Sequence, residues 1–115
     1  MITEYDKIDK AAFDAILENN KDNTILVDVY GVDCPPCSAL ARELPKWEEP
    51  LKTECKIDQI IKIKVDANPW FEMAYTIKAV PTLLVFSGQK ELGRVIGVRG
   101  KVSLIRDIMR IKGAS

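Results

Sequence analysis

Cys34 and Cys37 are the residues of this sequence best suited to chemistry, because two thiols stand close together directly after an apolar run at residues 24–30. The run is typical of a β-strand and the residues after it are typical of a helix, so the pair lies where a strand passes into a helix. At a helix start both sulfurs come within disulfide reach, and the first faces the positive end of the helix dipole. The pattern therefore predicts thiol–disulfide exchange, with the first sulfur biased toward the thiolate.

The spacing also predicts different roles for the two thiols. Cys34 lies at the exposed helix start, where it attacks a disulfide, and Cys37 lies about one turn further in, shielded, where it resolves the mixed disulfide. Pro35 and Pro36 have no backbone N–H to donate toward the Cys34 sulfur, which leaves the Cys37 N–H and S–H as donors. Asp33 adds a negative charge beside the thiolate, so we expect it to oppose the helix dipole and make Cys34 less acidic.

Asp28 is the one charged residue inside the apolar run at residues 24–30. Burial of an unpaired carboxyl group raises its pKa, and such a group is suited to take the Cys37 proton when that thiol attacks the mixed disulfide. A buried structural ion pair, or a strand register that puts Asp28 at the sheet edge, would produce the same pattern.

A structural disulfide and a zinc site are the alternative roles for the cysteine pair, and both stay open. A structural disulfide fits poorly with an odd count of three cysteines, and a zinc site requires about four ligands, whereas the sequence has three cysteines and no histidine. Cys55 is expected to be a partly buried, small apolar residue, and nothing in the sequence supports a regulatory role for it.

Apolar spacing and turn residues predict the order of the elements. We expect strands at 3–8, 24–30, 60–66, 82–86 and 92–96. A helix capped by Asp9 follows the first strand, a helix that begins at the cysteines and is interrupted by Pro45 and Pro50 follows the second, and a short helix from Asn68-Pro69 follows the third. A last helix follows the fifth strand, and its apolar face contains Val102, Ile105, Ile108 and Met109. This order predicts the α/β class, with a parallel core extended by antiparallel strands and helices on both faces.

Five features of the sequence, in this order, resemble the thioredoxin family. They are Asp28 six residues before Cys34, the cysteine pair at a helix start, Lys62 on the following strand, Val80-Pro81-Thr82, and Gly97 after the fifth strand. The resemblance covers roughly residues 4–111. It departs from the family at Asp33, where the family has an aromatic residue, at Pro35-Pro36, where it has Gly-Pro, and at Pro45, which lies later than its helix-kinking proline.

The resemblance implies a thioredoxin fold with a mixed five-stranded sheet, four flanking helices and a cis peptide bond before Pro81, ahead of the fourth strand. It implies the activity of a protein-disulfide reductase, with Lys62 near enough to Asp28 to modulate it. The cis bond would expose the Val80 backbone beside Cys34, where a substrate segment pairs like an added strand. The rest of the implied substrate-binding surface is Asp33, Pro35, Pro36 and Gly97.

The implied partners are protein disulfides as substrates and a thioredoxin-reductase-type electron donor, and no cofactor is expected beyond the redox-active Cys34–Cys37 disulfide. The alternative is a dedicated redox-sensing or partner-binding module of the same fold that lacks broad reductase turnover.

The length, the charge balance and the apolar stretches of the sequence exclude further classes of protein. The 115 residues suffice for a single domain at 1–115, and 17 basic residues balance 17 acidic ones, so no net field attracts nucleic acid or an anionic membrane. No stretch reaches the ~18 apolar residues that span a bilayer, and the first residues lack the features of a secretory signal. We therefore expect a cytoplasmic protein, and we also expect it to be a monomer.

Overall fold

The computed structural model describes residues 2–113, so the predicted domain is described except for residues 1, 114 and 115. The strands are β1 (Ile2–Tyr5), β2 (Thr24–Tyr30), β3 (Gln59–Lys64), β4 (Thr82–Ser87) and β5 (Lys90–Ile96). The helices are α1 (Lys10–Asn19), α2 (Pro35–Glu43), α3 (Glu48–Thr53), α4 (Pro69–Tyr75) and α5 (Lys101–Gly113), with 3₁₀ turns at Leu44–Trp47 and Val65–Ala67.

The five strands form one mixed sheet in the order β1-β3-β2-β4-β5. β1, β3 and β2 are parallel, and β4 and β5 are antiparallel to their neighbours. This confirms the predicted parallel core with an antiparallel extension. β2 lies at the centre of the sheet, which explains why nearly all of its side chains are apolar and buried.

Prolines interrupt the second helix as the sequence predicts. α2 ends at Glu43, Pro45 lies in the 3₁₀ turn Leu44–Trp47, and α3 follows with Pro50 in its first turn. A proline tolerates these positions because a first-turn N–H has no partner within the helix. Counted as one interrupted helix, α2 and α3 make the expected total of four.

Side chains of each strand alternate between two faces, so the sheet separates two apolar cores. The first core packs against α1 and α4, and its largest buried residues are Phe13, Phe71 and Phe86. The second core packs against α2, α3 and α5 and includes Leu26, Leu40 and Leu104. In β2 the residues on the same face as Leu26 include Asp28 and Tyr30, which places both of them on the α2 side.

Several local predictions differ from the structure, and β5 begins at Lys90 rather than at residue 92. β1 ends at Tyr5, and β3 ends at Lys64 where the 3₁₀ turn begins. In α5, Val102 and Met109 are 64% and 51% exposed, so assigning them to the apolar face is wrong. The buried face contains Leu104 and Ile108, and Ile111 packs beside them where Gly93 leaves room for it, since a Cβ at Gly93 would lie 3.0 Å from Ile111 Cγ2.

The last helix, α5, is also the longest in the described part of the chain, at 13 residues. Within residues 2–113 no helix combines the length and the apolar content that crossing a bilayer requires.

Candidate active site

A disulfide joins Cys34 and Cys37 where β2 passes into α2. Cys34 is the N-cap residue of α2, and its sulfur accepts a hydrogen bond from the Cys37 N–H at 3.2 Å. The Ser38 N–H donates to the Cys34 carbonyl at 3.0 Å and closes the first turn. Cys37 is buried, with 6% of its surface exposed, whereas Cys34 is half-buried. The sequence-based expectation of one accessible and one shielded sulfur matches this geometry.

Pro35 and Pro36 form the first turn of α2, with both rings exposed. Because neither residue has an N–H, the Cys37 N–H is the first backbone donor available to the Cys34 sulfur. Asp33 precedes the pair with a φ of 50°, a left-handed conformation that aspartate tolerates better than most residues. Its side chain is exposed, so its negative charge stands at the surface beside the disulfide.

The loop before β4 reaches the disulfide from the other side. The Val80–Pro81 peptide bond is cis, and the Val80 carbonyl oxygen lies 3.9 Å from Cys34 Sγ. Gly97 donates its N–H to the Pro81 carbonyl at 2.8 Å, and its φ of 89° is one that glycine adopts without strain. The structure therefore brings the Val80 carbonyl beside Cys34 and the Gly97 backbone against Pro81.

Asp28 lies in β2 with only 2% of its surface exposed, and its Oδ1 has no hydrogen-bond partner among the described residues. Burial raises the pKa of Asp28 from 3.8 to about 6; the Lys62 ammonium group lowers this pKa and the Glu4 carboxylate raises it. The central position of β2 rules out a sheet-edge location for this residue. An acid with a pKa near 6 exchanges protons close to neutral pH.

Lys62 is the residue of β3 paired with Asp28 in the parallel ladder, as the resemblance implies. On its other side Lys62 pairs with Glu4 of β1, and its Nζ lies 3.8 Å from Glu4 Oε1. The Tyr30 ring lies 4.9 Å from Lys62 Nζ, and the Tyr30 hydroxyl donates to Glu4 Oε2 at 2.5 Å. Glu4 and Tyr30 thus belong to the surroundings of Asp28.

Sequence analysis missed both Glu4 and Tyr30. A signal existed for Tyr30, because a residue two positions after Asp28 in a strand points to the same face. None existed for Glu4, because the pairing of β1 with β3 sets its position and this pairing joins residues 58 positions apart.

A cleft of about 410 Å³ connects the thiol region with this charged group. Its lining residues include Glu4, Tyr30, Asp33, Cys37 and Lys62. The cleft is open to solvent and Cys37 lines it, so it offers water and protons a route to Cys37.

The third cysteine, Cys55, is buried in the second core with 2% of its surface exposed and has no disulfide partner in the described chain. Its thiol donates to the Ile105 carbonyl across 3.8 Å. Cys55 is therefore more completely buried than the sequence suggested. Within residues 2–113, no three histidine, cysteine or carboxylate side chains lie together as metal ligands do.

Comparisons with known proteins identify the family of the chain. The family model for thioredoxin matches residues 4–110. A thioredoxin of Mycobacterium tuberculosis is 33% identical over 104 residues, covering 89% of this chain and 84% of that protein. A bifunctional thioredoxin reductase/thioredoxin of Mycobacterium leprae is 31% identical over 100 residues, which cover 87% of this chain and 21% of that longer protein.

Solved structures agree as well. The thioredoxin of Fasciola hepatica matches with a TM-score of 0.71 and 28% identity, covering 87% of this chain and 91% of that one. Oxidized mitochondrial thioredoxin 3 of Saccharomyces cerevisiae has the same fold, with a TM-score of 0.75 at 22% identity and coverage of 95% and 94%. With a cysteine pair bonded at a helix start and a family match over nearly its whole length, the chain belongs to the thioredoxin family and is a thiol–disulfide oxidoreductase.

Proposed function

We propose that this protein reduces disulfide bonds of other proteins, with Cys34 as the nucleophile and Cys37 as the resolving thiol. The observation that carries the proposal is the unequal exposure of two sulfurs at one helix start: Cys34 is accessible and Cys37 is buried behind the first turn of α2. A substrate disulfide meets only the first sulfur, so the order of attack follows from access.

The reaction has two exchange steps. The Cys34 thiolate attacks one substrate sulfur, forming a mixed disulfide and releasing the other substrate sulfur as a thiolate. Cys37 then gives its proton to the Asp28 carboxylate, its sulfur attacks Cys34 Sγ, and the second substrate thiolate leaves. The substrate gains two electrons and takes two protons from Asp28 and water, while Cys34 and Cys37 become a disulfide.

The surface around Cys34 is the proposed substrate-binding site. The Val80 carbonyl oxygen, 3.9 Å from Cys34 Sγ, offers an extended substrate segment a backbone partner of the kind that an added strand uses. In this proposal the surface also includes the uncharged residues Pro35, Pro36, Pro81 and Gly97, and Asp33 adds one negative group. Exposed apolar side chains extend this surface: Val32, Ile96 and Val98 are 52%, 55% and 42% exposed.

Regeneration of the dithiol requires an outside electron donor, and we propose a thioredoxin-reductase-type protein for this role. The Mycobacterium leprae relative supports this, because its name joins a reductase and a thioredoxin in one chain. We also propose that the protein acts in the cytoplasm as a monomer and uses no cofactor other than its own disulfide.

A dedicated redox module is the second candidate, and Asp33 is the observation that favours it. The negative charge of Asp33 directly beside the dithiol limits the partners that dock well, because it repels a partner that carries a negative charge at the same place. Such a module would keep an oxidisable dithiol yet turn over few substrates.

Insulin-disulfide reduction with dithiothreitol distinguishes the two candidates. We expect the wild type and the matched control Cys55→Ser to reduce insulin, Cys34→Ser to be inactive, and Cys37→Ser to accumulate a mixed disulfide with the substrate. A wild-type protein whose dithiol oxidises and is reduced reversibly but which fails to reduce insulin would overturn the reductase proposal in favour of the dedicated module.

A further inference from the structure

Three charged side chains lie in one row across the sheet. Glu4 of β1 pairs in register with Lys62 of β3, which pairs on its other side with Asp28 of β2. Residues paired across a sheet point to the same face, so the Lys62 ammonium group emerges between two carboxylates and is a candidate partner for either.

The ammonium group is directed toward Glu4. Lys62 Nζ lies 3.8 Å from Glu4 Oε1, whereas Asp28 makes no ion pair within 4.0 Å among residues 2–113 and its Oδ1 lacks any hydrogen bond there. Glu4 is itself held in place, because its second oxygen accepts the Tyr30 hydroxyl hydrogen bond at 2.5 Å. The Tyr30 ring also contacts the ammonium group, since Lys62 Nζ lies 4.9 Å from the centre of the ring.

We propose that Glu4, oriented by the Tyr30 hydroxyl, is a positioning residue for the resolving step: it holds the Lys62 ammonium group toward β1 and leaves the Asp28 carboxyl group unpaired. The inference rests on the proposed function, in which Asp28 takes the Cys37 proton. An Asp28 carboxylate bound directly by Lys62 is a weaker base and takes that proton less readily.

The charges around Asp28 support this arrangement. Burial is the largest cause of its raised pKa, Lys62 opposes the increase and Glu4 reinforces it. The charged and titratable groups that line the two clefts beside Glu4 and Lys62 are Glu4, Tyr30, Asp33, Cys37, Glu48, Lys62 and Lys64. From β4 the residue paired with Asp28 is the apolar Leu83, so Lys62 is the cation best placed to change the charge on Asp28.

A purely structural role for the Glu4–Lys62 pair predicts something different. The Lys62 side chain is 15% exposed, but that of Glu4 is 46% exposed, and an ion pair with one partner in solvent has little effect on stability. Loss of a structural pair would change the unfolding midpoint slightly and would lower the Asp28 pKa only by removing the Glu4 charge, equally with and without Lys62. A positioning role predicts a further change at Asp28 that depends on Lys62.

The test is a titration of the Asp28 carboxyl carbon by NMR in the oxidised protein, for the wild type, Glu4→Gln, Lys62→Met and the double variant. We expect Glu4→Gln to lower the Asp28 titration midpoint by about one pH unit, because the freed ammonium group turns to Asp28. In the Lys62→Met background the same substitution should shift the midpoint by less than half as much.

An absent shift, or an equal shift with and without Lys62, would overturn the proposal, since Glu4 would then act only through its own field. Tyr30→Phe should shift the midpoint in the same direction by a smaller amount, and the exposed Glu18 of α1, changed to Gln, should leave it in place. This readout needs no turnover, so failure of the positioning role and failure of insulin reduction are separate results.

Discussion

The Asp28 carboxyl group is kept ionisable in a place where ionisation is costly. It is 2% exposed in the central strand, and burial raises its pKa to about 6. At neutral pH the group is therefore mostly ionised but close to the point at which it takes up a proton. A base with these properties suits a thiol whose own ordinary pKa is a few units higher.

Asp28→Asn should separate the two exchange steps. Reduced protein mixed with 5,5′-dithiobis(2-nitrobenzoate) releases one thionitrobenzoate when Cys34 attacks and a second when Cys37 resolves the mixed disulfide. We expect the second release to slow by about 10- to 100-fold at neutral pH and the first to change much less, because only the second needs a base for Cys37. Equal slowing of both releases in stopped-flow absorbance would count against this role.

The same substitution should stabilise the oxidised protein at neutral pH. Because the folded-state pKa of Asp28 is about 6 and the ordinary value is 3.8, the native state holds a proton between these values that the unfolded chain has released. Wild-type stability therefore falls as the pH rises from about 4 to 6, and Asp28→Asn lacks this loss. We expect a gain of up to about 3 kcal/mol above pH 6.5, lowered by the unmet hydrogen bonds of the amide.

Urea unfolding at several pH values measures this gain. It should diminish as the pH falls from about 6 and be lost near pH 3, where Asp28 is protonated in both states. Asp22→Asn is a matched control, because Asp22 is exposed in the turn before β2. A gain that is the same at pH 3.5 and pH 7.5 would show that the ionisation of Asp28 is not its source.

At the scale of elements, α2 sets the environment of the reactive sulfur. Cys34 caps the helix, and its Sγ accepts the Cys37 N–H hydrogen bond at the positive end of the helix dipole. Two prolines in the first turn remove other donors, and Asp33 brings a negative charge just before the helix begins. The ionisation of Cys34 therefore depends on a balance between a helix and one adjacent residue.

Asp33→Asn changes one side of this balance without disturbing the backbone, because asparagine also tolerates the left-handed φ of 50° found here. We expect the thiolate absorbance titration of Cys34 to move to lower pH by less than about one unit, since Asp33 is exposed and screened by solvent. The shift should shrink at 1 M salt.

Glu72→Gln on α4 removes an exposed charge elsewhere in the chain and is the matched control for this titration. A midpoint that stays in place in Asp33→Asn, or moves to higher pH, would mean that Asp33 does not act on the thiolate.

At the scale of the complete fold, one sheet supports two apolar cores. Trp70 packs against the first core and Trp47 against the second, so the two tryptophans report on opposite faces of the sheet. β2 supplies buried residues to both cores, so the loss of β2 from the sheet would expose apolar side chains of both cores. We therefore expect the two cores to unfold together.

Single-tryptophan variants test this expectation. In Trp47→Phe and Trp70→Phe, the fluorescence transition in denaturant should coincide with the far-ultraviolet circular dichroism transition of the same variant, as in two-state unfolding. An earlier fluorescence transition in one variant would show that its core unfolds on its own and would contradict a single cooperative domain.

Features that depend on near neighbours could be predicted from the amino-acid sequence alone. The cysteine pair at a strand–helix junction, Asp28 in an apolar strand and the helix interruption at Pro45 were all predicted, and each depends on interactions within a few residues. The N-cap role of Asp9 belongs to the same group, since its side chain accepts the Ala12 N–H at 2.8 Å. The family resemblance added the distant partners of the dithiol.

Which distant residues lie together became clear only from the folded chain. Glu4 lies near Lys62 because β1 pairs with β3. In α5, Leu104 is buried and Val102 is exposed because of the way in which that helix packs against β5. The physical reason is that strand register and helix rotation are set by packing over the whole core. No short window of sequence contains that information.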